Sequence, residues 1–164
     1  MGHQKVLDHM FFDGLQNPYD GNMMGHFAEL TAEKYGLTRE EQDTFAIESV
    51  TRARAAAAAG KFAQEIAPVT VRNRKGDLIV SEDEGPRVAN IEKIPTLRPA
   101  FKKDGTVTAA SSSSISDGAA SLILMRTSAA VANNTPRLAS VVGQSGYAHQ
   151  PEWFTTAPVF AIQA

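Results

Sequence analysis

Cysteine is absent from the 164 residues, which removes thiolate nucleophiles, disulfides and zinc-thiolate sites together. The remaining polar side chains form a few small constellations. His3 and His9 have Asp8 as their one nearby carboxylate and no second cluster follows, so they read as ordinary surface or core histidines rather than metal ligands. Glu82, Asp83 and Glu84 are contiguous in a polar stretch, the mark of a solvated face and not of an acid-base pair. Ser111 to Ser114, followed by Asp117-Gly118, present small side chains beside exposed N–H groups. That pattern can suit an anion or amide site, but on pattern alone it reads as a plain serine-rich turn, since no Lys or Arg lies inside it. Met23, Met24 and Phe27 could line an acyl pocket, but a methionine and aromatic stripe at helical spacing reads as core. The glycine patterns of dinucleotide folds and phosphate loops are missing, and no serine, histidine and carboxylate order proposes a triad.

The composition sets the frame for these residues. With 43% hydrophobic residues the chain is long enough to build a core of domain size. A formal charge of -2, from 16 basic and 18 acidic residues, creates no field favouring nucleic acid or an anionic membrane, so any anionic ligand must be held locally. No apolar run approaches the roughly 20 residues of a bilayer span, and the N-terminus lacks the layout of a signal peptide. A soluble, cytoplasmic protein without nucleic-acid or membrane partners is the expectation.

The elements that must position the constellations follow from periodicity. Met24, Phe27, Ala28, Thr31, Ala32 and Tyr35 recur at steps of three and four, which predicts a helix over 24–35 with Gly36 as its stop. Thr38 and Glu41 form a capping-box pair ahead of helix formers that run to Ala59 and Gly60. The expected buried face of this second helix is Phe45, Ala46, Ser49, Ala53, Ala56 and Ala57, small enough for close approach of a neighbour. Val69–Val71 and Leu78–Val80 flank the turn sequence Arg74-Lys75-Gly76-Asp77 and predict a hairpin. Residues 81–99, with Pro86, Pro95 and Pro99, read as a long structureless excursion. Ser121–Met125 and Leu138–Gly143 are strand candidates. Pro158, followed by Val159, Phe160 and Ile162, opens a helix as the sequence stops at Ala164, which gives the expectation of a truncated chain. Together these predict a mixed domain with two candidate binding loops.

The run Leu97-Arg98-Pro99-Ala100-Phe101-Lys102-Lys103-Asp104-Gly105-Thr106-Val107-Thr108-Ala109-Ala110, then Ser113, then Ser116-Asp117-Gly118-Ala119-Ala120, resembles the signature around the coenzyme A loop of thiolases. Three further stretches agree in order: Asp13-Gly14-Leu15 ahead of Met24-Gly25 and Ala28-Glu29, then Tyr35 to Asp43, then Gly60-Lys61-Phe62 to Glu65-Ile66. The resemblance covers essentially the whole chain.

It implies an α/β fold, with α+β character in an inserted loop domain, that is thiolase-like and incomplete. Residues 1–115 would be the loop domain with the coenzyme A segments, 116–150 strands returning to the N-terminal half, and 151–164 the start of the C-terminal half. By matching motif positions, Leu15 and Met24 would touch the cofactor or acyl group, Arg87 the adenosine phosphate, and Phe101 the adenine or pantetheine. Ala109, Ala110 and Ser113 would line the pantetheine path, where a small-residue backbone lets an extended arm approach and a hydroxyl can bond its amides. Phe154 matches a position that shapes the acyl pocket.

The sequence departs from the family where Met23 replaces a histidine common in biosynthetic members and Ser111 an asparagine, which leaves contacts at those positions open. The pattern around Met23, Ser112–Ser116 and Phe154 is closer to acetyl or medium-chain acyltransferases of bacterial fatty-acid breakdown. The family's chemistry uses a nucleophilic cysteine thiolate, a histidine base and a second cysteine as acid or base, and this sequence supplies neither cysteine. The resemblance thus implies part of an acetyl-coenzyme A C-acyltransferase, homodimeric or homotetrameric in its parent, that catalyses reversible thiolysis or Claisen condensation of 3-ketoacyl-coenzyme A without metal. This chain would bind coenzyme A and hold no catalytic residue. The alternative is a stand-alone, non-enzymatic coenzyme A-binding or oligomerisation module.

Overall fold

Asp8 begins the ordered local structure. Its Oδ1 accepts from Met10 N at 2.9 Å and its carbonyl from Phe12 N at 3.0 Å, starting a π-helical turn over Met10–Leu15. A computed structural model of the chain describes Gly2–Ala164, and it separates into two compact units at Ser113/Ser114.

In the first unit the expected helices form. Helix α1 spans Met24–Tyr35 and ends on Gly36, whose φ of 65° only glycine adopts at little cost. Leu37 N then donates to Ala32 O at 2.9 Å. Helix α2 spans Arg39–Ala58. Its N-terminus carries the predicted capping box: Glu41 N donates to Thr38 Oγ1 at 3.2 Å while Thr38 N donates to Glu41 Oε2 at 2.8 Å, so two otherwise orphaned donors are satisfied. Strands β1 (Val69–Val71) and β2 (Leu78–Val80) pair antiparallel, Val69 opposite Val80 and Val71 opposite Leu78. The turn between them closes on Asn73, whose Oδ1 accepts from Lys75 N at 2.8 Å.

One expectation holds only in part here and another is overturned. The buried side of α2 follows the predicted stripe only in part: Ala46 is buried and Ala53 and Ala56 are half-buried, but Phe45 is 78% exposed, and Ser49 and Ala57 face solvent as well. The face is completed by residues outside that stripe, Asp43 buried and Gln42, Ile47, Val50 and Arg54 half-buried. Gln42 and Arg54 occupy this face because they bond across it, to Thr106 Oγ1 and Pro86 O, while Asp43 pairs with Arg39 of the same helix. Nor is 81–99 structureless. Asp83 Oδ1 accepts from Gly85 N at 3.3 Å and starts helix α3 (Glu84–Val88), with Pro86 in the first turn where its missing N–H costs nothing. Asn90 caps a 3₁₀ segment, Ile91–Thr96, in the same way. Both segments pack on α2. Phe27, Ala32, Ala46, Ile94 and Val107 form the small apolar core of this unit, together with buried Glu29, Asp43 and Thr108.

The second unit holds α4 (Thr127–Ala132), a 3₁₀ segment Pro151–Thr156 and α5 (Ala157–Gln163), which has Pro158 in its first turn as expected. Tyr147 stacks on Phe160 with centroids 4.7 Å apart, and His149 Nε2 lies 2.7 Å from Trp153 O. The strand candidates 121–125 and 138–143 are not strands. Among the described residues the only ladder is β1–β2. Leu122, Ile123, Leu138 and Val142 are 81–99% exposed, so these runs have β propensity but no neighbouring strand to satisfy their backbone groups.

Candidate functional site

The site is built on the segment Leu97–Ser113, a strap that α1 and α2 hold from two sides. At its start, Arg39 of α2 donates through Nη2 to Leu97 O at 2.8 Å and Ile94 O at 3.1 Å, while its Nε pairs with Asp43 Oδ2 at 2.7 Å. At its middle, Ala100 N donates to Val107 O at 2.9 Å, closing a loop over residues 101–106 whose Lys102 Nζ reaches Glu33 Oε2 of α1 at 3.2 Å. Phe101 lies over Gly25 at the start of α1, where a Cβ would overlap its ring.

The tightest clasp is Glu29, only 4% exposed. Its carboxylate accepts from Thr106 N at 2.9 and 3.0 Å, from Val107 N at 2.9 Å and from Thr106 Oγ1 at 3.2 Å. Gln42 Nε2 of α2 donates to the same Thr106 Oγ1 at 2.8 Å, so one threonine joins both helices. Beyond the clasp the strap turns on Thr108, which is fully buried. Thr108 N donates to Ser111 Oγ at 2.9 Å, Ala110 N to Thr108 Oγ1 at 3.2 Å, and Ser112 Oγ to Thr108 O at 2.7 Å. Ser111 and Ser112 therefore tie the turn to itself. This leaves Ala109 exposed, Ala110 half-buried and Ser113 exposed on its outer side.

Of the residues singled out from sequence, Met24 is the first residue of α1 and adjoins Gly25, against which Phe101 packs. The bridge between Gln16 and Met23 sets half-buried Leu15 one position beyond on the facing chain. Ala109, Ala110 and Ser113 continue from the Glu29 clasp. Arg87 belongs to a different support: it sits on α3, which Arg54 of α2 anchors by donating to Pro86 O at 2.8 Å and to Ala89 O. Its guanidinium is half exposed and lies 3.7 Å from Glu82 Oε2 and 3.8 Å from Glu84 Oε1, distances of loose surface pairs that a stronger anionic ligand can displace. Phe154 is in the second unit, on the Pro151–Thr156 segment, and 37% exposed.

Two carboxyls have perturbed acidity. The Thr38 backbone N–H, with the Thr38 hydroxyl, holds Glu41 below the usual carboxylate range. The Asn22 backbone N–H does the same for Asp20. Both shifts belong to turns and caps, not to an acid-base centre. No group of three or more His, Asp or Glu suited to a metal occurs among the described residues.

The residues missed from sequence are the clasps: Arg39, Gln42 and Arg54 on α2, and Glu29 as more than a letter in a motif. A carboxylate beside the apolar face of a predicted helix was the available signal for Glu29. Its partner, 77 residues away, carries none.

The chain matches the family described as thiolase, N-terminal domain, over residues 1–128. It is 45% identical over 165 residues to a protein named probable acetyl-CoA acyltransferase from Staphylococcus aureus (strain COL), covering 99% of this chain and 42% of that protein. It is 44% identical over 163 residues to the acetyl-CoA acetyltransferase of Yarrowia lipolytica, covering 99% of this chain and 41% of the other. The crystal structure of the Bacillus anthracis acetyl-CoA acetyltransferase superimposes with a TM-score of 0.88 at 38% identity, over 99% of this chain and 41% of that one. The chain thus spans about two-fifths of the length of these relatives.

Proposed function

Because the chain belongs to the thiolase family, we propose that it forms the coenzyme A-holding part of an acyl-coenzyme A C-acyltransferase acting by reversible thiolysis of 3-ketoacyl-coenzyme A. In that assembly residues 1–115 act as the loop domain, 116–150 lead back to the N-terminal half, where 121–125 and 138–143 gain the strand partners they lack in this chain, and 151–164 begin the next half. The parent is a cytoplasmic homo-oligomer. No described helix is long and apolar enough to cross a membrane.

The observation that carries the reading is the strap. Its backbone is fixed by buried partners up to Thr108 and then presents Ala109, Ala110 and Ser113 outward. Side chains this small let a pantetheine arm lie against the main chain, and the Ser113 hydroxyl supplies a donor and an acceptor for its amides. A preorganised backbone loses little entropy when the arm binds. Arg87 offers a fork for a phosphate, and Phe101, with Met24 beside Gly25, gives apolar surface. The thiolase route to the acyl carbon runs through a cysteine thiolate, and none of the 164 residues is a cysteine.

Calorimetry on the chain tests this. Coenzyme A binds in the micromolar range, and Ser113→Ala and Arg87→Ala each weaken it by about tenfold, the scale of one hydrogen bond or one charged contact. Absence of heat at millimolar coenzyme A, with the chain folded, ends the reading.

A further inference from the structure

We infer that Glu29 is the positioning residue for the pantetheine-facing stretch, so that it governs affinity for that end of the ligand and not for the phosphate end; this rests on the coenzyme A reading above. A buried carboxylate must be compensated, and for Glu29 the compensation comes from main-chain N–H groups and a hydroxyl. The N–H groups belong to Thr106 and Val107, the two residues immediately before the turn that carries Ala109 and Ala110. Hydrogen bonds from N–H groups to a charged acceptor are the strong kind, and here both oxygens are engaged. The carboxylate thereby fixes the height and direction of the backbone as it leaves the buried Val107-Thr108 pair.

The packing around it is equally specific. A Cβ on Gly105 would fall on the Glu29 carboxylate, so any larger residue there must push the carboxylate aside. Arg87, in contrast, is held through α3 and Arg54. The two ends of an extended ligand would thus rest on different clasps, Glu29 with Gln42 at one and Arg54 at the other.

The test uses the 164-residue chain, titrated separately with pantetheine and with adenosine 3′,5′-bisphosphate, alongside amide NMR. Glu29→Gln keeps the shape but turns two donors toward a donor-bearing amide. It is expected to weaken pantetheine about tenfold, leave the bisphosphate unchanged, and move and deprotect the Thr106 and Val107 amides while those of α2 stay in place. Arg87→Ala gives the reverse ligand pattern. Equal losses for both ligands, or no loss of pantetheine affinity, overturn the inference. Should Glu29→Gln fail to fold, Gly105→Ala, which displaces the carboxylate and keeps its charge, is expected to give the same pattern and is judged the same way. A wild-type chain that binds neither compound ends the coenzyme A reading, and unaltered Thr106 and Val107 amides in Glu29→Gln then end the positioning claim on its own terms.

Discussion

Gly25 shows what a single missing Cβ does. At the second position of α1 nothing in the backbone requires glycine, and alanine would be the better helix former. The requirement comes from the Phe101 ring, which occupies the volume a methyl group would fill. Gly25→Ala is therefore expected to destabilise the first unit by about 1–3 kcal/mol, the usual cost of overpacking, against the few tenths gained in helix propensity. Urea unfolding followed by helix circular dichroism measures it; an unchanged or raised midpoint would show that Phe101 moves aside freely. The motif Met24-Gly25 was readable in the sequence. Its reason was not, because the ring arrives from the strap and no local pattern pairs the two. Glu29 is the same case: its identity was visible and its role depended on a distant backbone.

Among the elements, the legible ones are those whose causes are local. Helix α1 with its glycine stop, the capping box of α2 and the β1–β2 hairpin each follow from residues within a few positions of one another. The α3 and 3₁₀ segments were read as loop because their caps are short and their carbonyls are satisfied by Arg39 and Arg54 from α2, partners with no counterpart in local periodicity. The capping box has a pH signature. Glu41 has a folded-state pKa below its ordinary value, chiefly through the Thr38 N–H, so the folded state releases this proton more readily than the unfolded one. The resulting stabilisation is fully present above the ordinary carboxylate range and is lost as pH falls through the lowered pKa. Glu41→Gln is expected to remove this part of the acid sensitivity, flattening the decline of the unfolding midpoint below about pH 5, while Asp20 continues to contribute its own. Identical acid profiles for the two proteins would contradict the box as the cause.

At the level of the whole molecule, family membership and the absent thiolate lead to one expectation. The chain shows no thiolysis of acetoacetyl-coenzyme A at any protein concentration, followed as loss of the substrate's ultraviolet absorbance; turnover in a preparation free of host enzyme would refute this. The motif strings identified the family from sequence, yet the second unit was read too regularly. Leu122–Leu124 and Val141-Val142 have strand propensity, and pairing is a property of neighbours that propensity does not supply. The Glu29 clasp also has a topological side. By joining residues 77 apart it closes a circuit that contains all of α2 and the hairpin, and the entropy of closing so long a circuit changes by only about 0.6 kcal/mol for each doubling of its length. Residues 73–77 at the hairpin tip, exposed and remote from the strap in sequence, are thus a place where extra chain can be spliced in with little thermodynamic penalty and without loosening the clasp.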